Sequence, residues 1–146
     1  MKNPLFITTI LVGLGLIVAS TEAKAQSSSL AHFLESKYEQ GEKVVLLYAD
    51  KQNEELIETQ LDELFTIQSL LHYHKITIVK LPSKLVESDR NYLVKNLRMQ
   101  PERLNVWVFD DSGSVRFAST KKVSGRQVLA TLDKLSFEEV RHFAAK

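Results

Sequence analysis

Apolar residues along the chain follow two different periods, and these predict where the strands and helices lie. Residues 44–48 and 76–81 form short, continuous apolar runs rich in β-branched side chains, as expected for strands covered on both faces. Between these runs, from residue 53 to residue 72, apolar side chains recur every three or four positions, which predicts one long amphipathic helix. A strand, a helix and a second strand in succession predict a parallel pair joined by a right-handed crossover.

The remaining apolar patterns complete the sheet and its covering layers. Short helices are predicted over residues 30–38, ended by Gly41, and over residues 88–97, followed by Pro101. Two strands at 104–109 and 114–118 enclose a tight turn with a glycine, which predicts an antiparallel hairpin. A last helix begins near Ser124 and carries its apolar side chains on one face: Val128, Leu129, Leu132 and Leu135.

This order of elements predicts the fold class. Helix, βαβ unit, helix, β-hairpin and helix together give an α/β, thioredoxin-like, three-layer α/β/α sandwich. The four-stranded mixed sheet is expected in the strand order 2-1-3-4. Residues 26–146 are expected to form one domain, since a chain of this length buries enough surface for a core without disulfides.

The first 25 residues are typical of a secretory signal peptide. Lys2 precedes an apolar run over residues 5–19, and the small residues Ala23 and Ala25 follow it. The run has 15 residues, whereas a membrane-spanning helix needs about 20, so an anchored helix is the weaker alternative. We therefore expect cleavage after Ala25 and a periplasmic or secreted protein with no membrane span after cleavage; a Gram-positive host would make it extracellular.

Charge and cysteine content exclude several classes of function. The chain has 19 basic and 18 acidic residues, and removing Lys2, Lys24 and Glu22 with the signal peptide leaves 17 of each. A neutral secreted domain is a poor match for nucleic acid. The chain has no cysteine, which excludes disulfides, thiolate nucleophiles and dithiol exchange. No cofactor is predicted, and the expected partner is a protein or a small anionic ligand of the cell envelope.

The turn after the first strand holds the first group of candidate site residues, Asp50, Gln52 and Asn53. Acidic and amide side chains at a helix start cap free N–H groups and interact favourably with the helix dipole, which is a structural role. A carboxylate there could alternatively act as a general base or contact a cation. His72 and His74, near the end of the long helix, are weak metal candidates that could instead act at the helix C-terminus.

A second group of candidates lies further along the chain. Gln60 and Gln68 interrupt the apolar stripe of the long helix, so one of them is expected to reach a buried backbone group. The last strand and last helix carry four basic residues: Arg116, Lys121, Lys122 and Arg126. Such a cluster can hold an anion or an acidic protein, or it can protect an edge strand from aggregation.

Five segments carry a resemblance to a known family: KVVLLYAD, ETQLDEL, ITIVKLP, NLRMQPERLNVWVFDDSGSVRF and LATLDKLSFEEVR. Together they resemble the domain of unknown function 4174, whose members are secreted thioredoxin-like domains of small bacterial proteins and repeats of an animal extracellular-matrix protein with coiled-coil segments. The resemblance implies roles for Arg116 and Gln60. Ala118 stands where many members have a second basic residue, and His74 and Lys75 replace a common Arg-Asp pair.

Compared with thioredoxin itself, both parts of the redox site are replaced. Asp50 to Asn53 stand where thioredoxins have their Cys-x-x-Cys pair, and Leu104 stands at the position of the cis-proline. The sequence therefore predicts a non-redox binding or interaction module, with a binding surface formed by Asp50, Gln52, Asn53, Leu104 and Arg116, and Gln60 as a secondary member. A cysteine-independent enzyme of peroxiredoxin-like or hydrolase-like ancestry and a structural envelope module are the alternatives.

Overall fold

The computed structural model describes residues 28–133 of the 146-residue chain. The predicted signal peptide and Leu135 of the predicted last helix lie outside these described residues. Within them, the helices are α1 (Ser29–Glu39), α2 (Glu54–Phe65), α3 (Gln68–Tyr73), α4 (Glu87–Leu97) and α5 (Gly125–Asp133). The strands are β1 (Lys43–Tyr48), β2 (Ile76–Lys80), β3 (Asn105–Phe109) and β4 (Val115–Ser119). A short 3₁₀ turn, Lys51–Asn53, connects β1 to α2.

The four strands form one mixed sheet in the order β2-β1-β3-β4. β1 pairs in parallel with β2, whereas β3 is antiparallel to both β1 and β4. Val45 lies opposite Ile78 of β2 on one side and Val108 of β3 on the other. Helices cover both faces of the sheet, so the predicted thioredoxin-like α/β/α fold and its strand order are confirmed.

Each face of the sheet has its own hydrophobic core. The first face is covered by α2, α3 and α5, and its central side chains include Val45, Leu47, Val106 and Val108. The second face is covered by α1 and α4, with Leu46, Tyr48, Trp107 and Phe109 at its centre. Burial of Tyr48, Trp107 and Phe109 confirms their predicted core positions. This double coverage explains why β1 and β3 read as continuous apolar runs.

Helix α1 is fixed to α4 by a buried carboxylate. Asp89, in the first turn of α4, accepts hydrogen bonds from the Ser28 hydroxyl at 2.7 Å and from the Leu30 backbone N–H at 3.0 Å. The Ser28 hydroxyl also accepts a hydrogen bond from the N–H of Ala31, so it caps α1. One carboxylate thus helps satisfy the N-terminus of a helix that is distant in the sequence.

The long helix predicted over residues 53–72 is wrong, because the structure has two helices there. α2 ends at Phe65 and α3 begins at Gln68, with Ile67 in a non-helical conformation (φ −122°, ψ 32°). The Thr66 hydroxyl donates to the Glu63 carbonyl at 2.7 Å, an interaction that competes with continued helix. The break lets the Ile67 side chain pack at Gly125, where a Cβ atom would overlap it.

Candidate functional site

The turn after β1 is held together by its own polar side chains. Asp50 Oδ1 accepts a hydrogen bond from the Asn53 backbone N–H at 3.1 Å and another from Asn53 Nδ2 at 2.7 Å. Asn53 Nδ2 also donates to the Glu102 carbonyl at 3.3 Å, which links this turn to the loop before β3. Asp50 therefore caps the 3₁₀ turn that precedes α2, whereas Asn53, the N-cap residue of α2, makes no side-chain capping bond. Gln52 is exposed, and its side chain forms no hydrogen bond with the described part of the chain.

Leu104 lies beside this turn but presents no surface for a ligand. It immediately precedes β3, whose first residue, Asn105, pairs with Tyr48 at the end of β1. Its side chain is 3% exposed and belongs to the first core. Residues 28–133 contain no cis peptide bond, Leu104 included. Asp50, Asn53 and Leu104 are therefore brought together at one end of the sheet, where Leu104 fills the core.

Gln60 links α2 to the segment that precedes α5. Its side chain is fully buried, its Nε2 donates to the Val123 carbonyl at 2.7 Å, and its Oε1 accepts from the Val123 N–H at 2.7 Å. Gln68 is exposed, so the prediction that one of these two glutamines reaches a buried backbone group is confirmed. Both Nε2 and Oε1 of Gln60 are thus used in hydrogen bonds within the fold, and the side chain has no contact with solvent.

Arg116 lies at the opposite end of the sheet from the Asp50 turn. Val44, at the start of β1, is opposite Phe109, and Phe109 is opposite Val115, which places Arg116 beside the hairpin turn. Asp50 is six residues further along the chain than Val44, roughly 20 Å at strand rise. Arg116 and Asp50 therefore do not share one surface. The sequence predicts a shared surface because it does not reveal at which end of the sheet each residue lies.

Arg116 interacts with Asp110, which organises the hairpin turn. Arg116 Nη1 is 3.5 Å from Asp110 Oδ2, and Asp110 Oδ1 accepts hydrogen bonds from the Ser112 N–H, the Ser112 hydroxyl and the Ser114 N–H. Burial acts to raise the pKa of Asp110, but these hydrogen bonds and the Arg116 charge outweigh it and lower that pKa. Gly113 (φ 87°) permits the turn, and a Cβ atom there would lie 2.7 Å from the Tyr38 ring.

The two histidines lie at the end of α3. His72 is exposed in the last turn, and His74 is the C-cap residue, with its ring edge-on to Tyr73 at 5.0 Å between centroids. Among residues 28–133 there is no group of three or more His, Cys, Asp or Glu side chains positioned to hold a metal ion. The helix-end location is the one expected for the alternative role at the helix C-terminus.

A groove that the sequence did not predict runs along β4 on the second face of the sheet. The groove lies between the end of α4 and β4, which is the least buried strand of the sheet. Its volume is about 450 Å³. It is lined by Asn96, Leu97, Arg98, Gln100, Asn105, Trp107, Val115, Ala118, Ser119 and Thr120.

The floor and one wall of the groove are fixed by buried hydrogen bonds. Trp107 Nε1 donates to the Leu97 carbonyl at 2.9 Å, which holds the indole ring against the end of α4. The buried Asn105 side chain exchanges two hydrogen bonds of 2.8 Å with the Gln100 backbone and donates to the Arg103 carbonyl at 2.9 Å. These contacts make the groove a preformed surface of the fold.

The opposite wall is shaped by an irregularity in β4. Val108 pairs with Phe117 but Phe109 pairs with Val115, so Arg116 is an extra residue in β4, as in a β-bulge. Because directly opposed residues share a face, Val115 and Ala118 both lie on the second face although they are three residues apart. Val115 is 43% exposed, and Ala118 is also exposed. Simple alternation along the sequence would have placed them on opposite faces.

The fold and this surface define the class of protein: a thioredoxin-like α/β domain without cysteine and with an open groove beside its last strand. No family model matches the chain, and no curated protein matches it significantly. Among solved structures it is similar to a disulphide isomerase from Xylella fastidiosa Temecula1, at 18% identity over 86% of this chain and 91% of that chain, with a TM-score of 0.42. A likeness this distant says nothing about activity. The fold assignment follows from the strand order and the two helical layers.

One further structural finding concerns membranes. Within the described range, no helix has both the length and the apolar character required to cross a bilayer. The longest helix described, α2, has 12 residues, whereas a spanning helix needs about 20.

Proposed function

We propose that this chain is a non-redox binding module that holds part of a partner protein in the groove along β4. The observation that carries the proposal is the uncovered second face of β4, where Val115 and Ala118 stand exposed beside the fixed Trp107 floor. Exposed apolar side chains in a preformed groove favour contact with a partner. Dithiol exchange is not an alternative, because the chain has no cysteine.

The polar residues of the Asp50 turn support this choice of surface. The side chains of Asp50 and Asn53 hydrogen-bond each other, and Asn53 also donates to the Glu102 carbonyl. The Gln60 amide is hydrogen-bonded to the Val123 backbone. Leu104 belongs to the core. These residues therefore act as support for the fold in our proposal, and the groove provides the contact surface.

The shape of the groove favours a protein segment over a small molecule. Small-molecule sites are cavities that bury most of the ligand surface. The β4 groove is instead bounded by α4 on one side and a sheet edge on the other, and it is open above. A peptide chain can cross such a surface and still project groups beyond both ends.

Selection from a random peptide library displayed on phage, followed by fluorescence titration of the selected peptides, tests the proposal. Trp107 is the only tryptophan in the chain and lies beneath the groove with 2% of its surface exposed, so a change in its emission reports a change in packing at the groove floor. We expect selected peptides to change this emission and to raise the melting temperature; a peptide at about 100 times its Kd should stabilise the fold by about 2.7 kcal/mol.

A pair of tyrosine variants locates the binding. Ala118→Tyr places a large side chain in the groove and should abolish the emission change. Thr59→Tyr makes the same addition on the exposed surface of α2 and should leave binding intact. The proposal is wrong if no peptide is enriched, or if enriched peptides bind the Ala118→Tyr protein as well as the unaltered one.

We also propose that the domain is exported and belongs to the domain of unknown function 4174 family, on the strength of the residues quoted above. Cleavage after Ala25 would leave Ser28 and every contact described for it in the mature chain. N-terminal sequencing of the protein recovered from the periplasm or medium of a bacterial host should begin at Gln26. Recovery of only uncleaved protein inside the cell would contradict export.

A further inference from the structure

The outer edge of β4 is open to another strand. β4 is the last strand in the sheet order, and within residues 28–133 no strand pairs with its outer side. An unpaired edge presents backbone N–H and C=O groups that an extended chain can bind as an added strand. Because the groove runs along the same strand, an added chain would place every second side chain on the groove side of the sheet.

The opposite edge strand, β2, is a poorer place for such an addition. Lys80 of β2 pairs with Glu58 at 3.1 Å, and the Thr77 hydroxyl donates to Glu42 at 2.7 Å. Polar side chains from both ends of β2 are therefore already engaged with neighbouring parts of the same chain. In β4, Arg116 pairs with Asp110 and the Ser119 hydroxyl with the Lys121 backbone. β4 differs in its exposure, because three of its five residues are exposed and none of the five in β2 is.

The chain from β4 through α5 is basic, whereas the hairpin turn before β4 carries Asp110 and Asp111. Residues 114–132 contain four basic residues and no acidic residue. Lys121, Lys122 and Arg126 are exposed, and Arg98 stands on the far wall of the groove. Arg116 pairs with Asp110, but within the described part of the chain Arg98, Lys121, Lys122 and Arg126 form no ion pair. Their charges are available to a partner.

We propose that the partner segment is an extended acidic strand that pairs with β4 and alternates apolar with acidic residues. This inference rests on the function proposed above and adds the chemistry of the partner. Apolar side chains of the segment pack on Val115 and Ala118 on the groove side. Its carboxylates point to the other side of the added strand and face Lys121 and Lys122, which lie between β4 and α5. Each part of the segment then meets a matching part of this surface.

The charges and the bulge would also restrict which chains pair with the open edge. Basic residues and bulges on an edge strand discourage addition of neutral strands and of further copies of the same chain. Two copies meeting at β4 would bring like charges together, whereas an acidic segment would neutralise them. The features that protect the edge therefore also select the sign of the partner's charge.

Three synthetic heptapeptides test the assignment: N-acetylated, C-amidated chains that alternate valine with glutamate, glutamine or lysine. Titration against the purified protein with Trp107 emission as readout should give a Kd for the glutamate peptide at least tenfold lower than for the glutamine peptide. The lysine peptide should show no saturable binding. Raising the salt concentration should weaken binding of the glutamate peptide more than binding of the glutamine peptide, because the difference between their affinities is electrostatic.

Two further comparisons separate the charge from the strand pairing. The double variant Lys121→Gln/Lys122→Gln should reduce the glutamate preference several-fold, while Lys51→Gln/Lys84→Gln, which removes two other exposed lysines, should not. A glutamate peptide with alternate backbone amides N-methylated keeps its charge but cannot form the ladder. Alternate N–H groups of a strand point to opposite edges, so two peptides are made, each with a different set of alternate amides methylated. The peptide whose methylated amides face β4 should bind at least tenfold more weakly.

The outcomes distinguish failure of the acidic-strand inference from failure of the proposed groove-binding function. Equal affinities for the glutamate and glutamine peptides would overturn the acidic partner, and full binding by both methylated peptides would overturn strand addition. Library peptides that still depend on Ala118 would in either case leave the groove-binding function standing. A concentration-dependent dimer dissociated by Ala118→Tyr would identify a second copy as the occupant and overturn the inference. Failure of all peptides, library-selected ones included, would remove the proposed function as well.

Discussion

The turn after β1 and the rim of the groove along β4 differ in what most of their polar side chains do, although Gln52 of the turn is exposed and Asn105 of the groove is hydrogen-bonded. At the turn, Asp50 and Asn53 bind each other and a neighbouring loop, and in the helix that follows Gln60 binds Val123. Around the groove, Arg98 and Lys121 are exposed with no ion pair to the described chain. Polar groups that satisfy one another stabilise a fold, whereas polar groups left to solvent are available for a partner. In our proposal, the binding surface is therefore the groove and not the turn at the end of the central strand.

The largest expected effect is a loss of folding stability when the buried Gln60 is replaced, compared with the same change at the exposed Gln68. Gln60→Leu leaves the Val123 N–H and C=O buried without partners, at about 1 to 3 kcal/mol for each group. We expect the free energy of unfolding to fall by about 3 kcal/mol, measured by urea denaturation. Gln68→Leu makes the same change on an exposed position and should alter it by less than about 0.5 kcal/mol. Similar losses for the two variants would contradict a special role for the Gln60–Val123 contact.

A smaller effect is expected at the Asp50 turn. Asp50→Ala removes the acceptor for the Asn53 N–H and should cost about 1 kcal/mol, as for other lost caps. Peptide affinity at the groove should stay unchanged, because the groove residues do not include Asp50. Asp62→Ala, on the exposed surface of α2, serves as the control for loss of a carboxylate. If Asp50→Ala weakened peptide binding without unfolding the protein, the division between supporting and binding regions would be wrong.

The smallest effect concerns pH and the hairpin turn beside the groove. The folded state lowers the pKa of Asp110, so this carboxylate contributes stability above its unfolded pKa of about 3.9 and loses it as pH falls through the folded value. The difference in unfolding free energy between the unaltered protein and Asp110→Asn should be constant near neutral pH and shrink below about pH 4. Asp111→Asn, an exposed neighbour, should follow the unaltered protein. A pH-independent difference for Asp110→Asn would show that its charge is not involved.

Most of the fold could be predicted because it depends on local periodicity. The strands and the helices α1 and α4 lie within one or two residues of their predicted bounds. The break between α2 and α3 could not be predicted, since the position of Ile67 depends on space left by Gly125, 58 residues later. Periodicity reports which face of an element is apolar, but it does not report which distant residue makes room for it.

The candidate site shows the same limit. The capping role of Asp50 depends on residues three positions away and could be predicted. The groove is built from the end of α4, β3 and β4, so no single stretch of sequence contains it. The bulge at Arg116 also reverses the alternation that would have indicated which side chains share a face. The sequence places Arg116 and Asp50 on one predicted surface because it does not determine which end of the hairpin lies at which end of β1.

The fit between Ile67 and Gly125 restricts how related sequences can diverge. A side chain at position 125 would overlap Ile67, so alanine there requires a smaller residue at position 67 or a shift of α5. These two positions should therefore change together among relatives, with glycine at one accompanying a large apolar residue at the other. A lineage that lost the glycine first would pass through an overpacked intermediate, and that route should be rare.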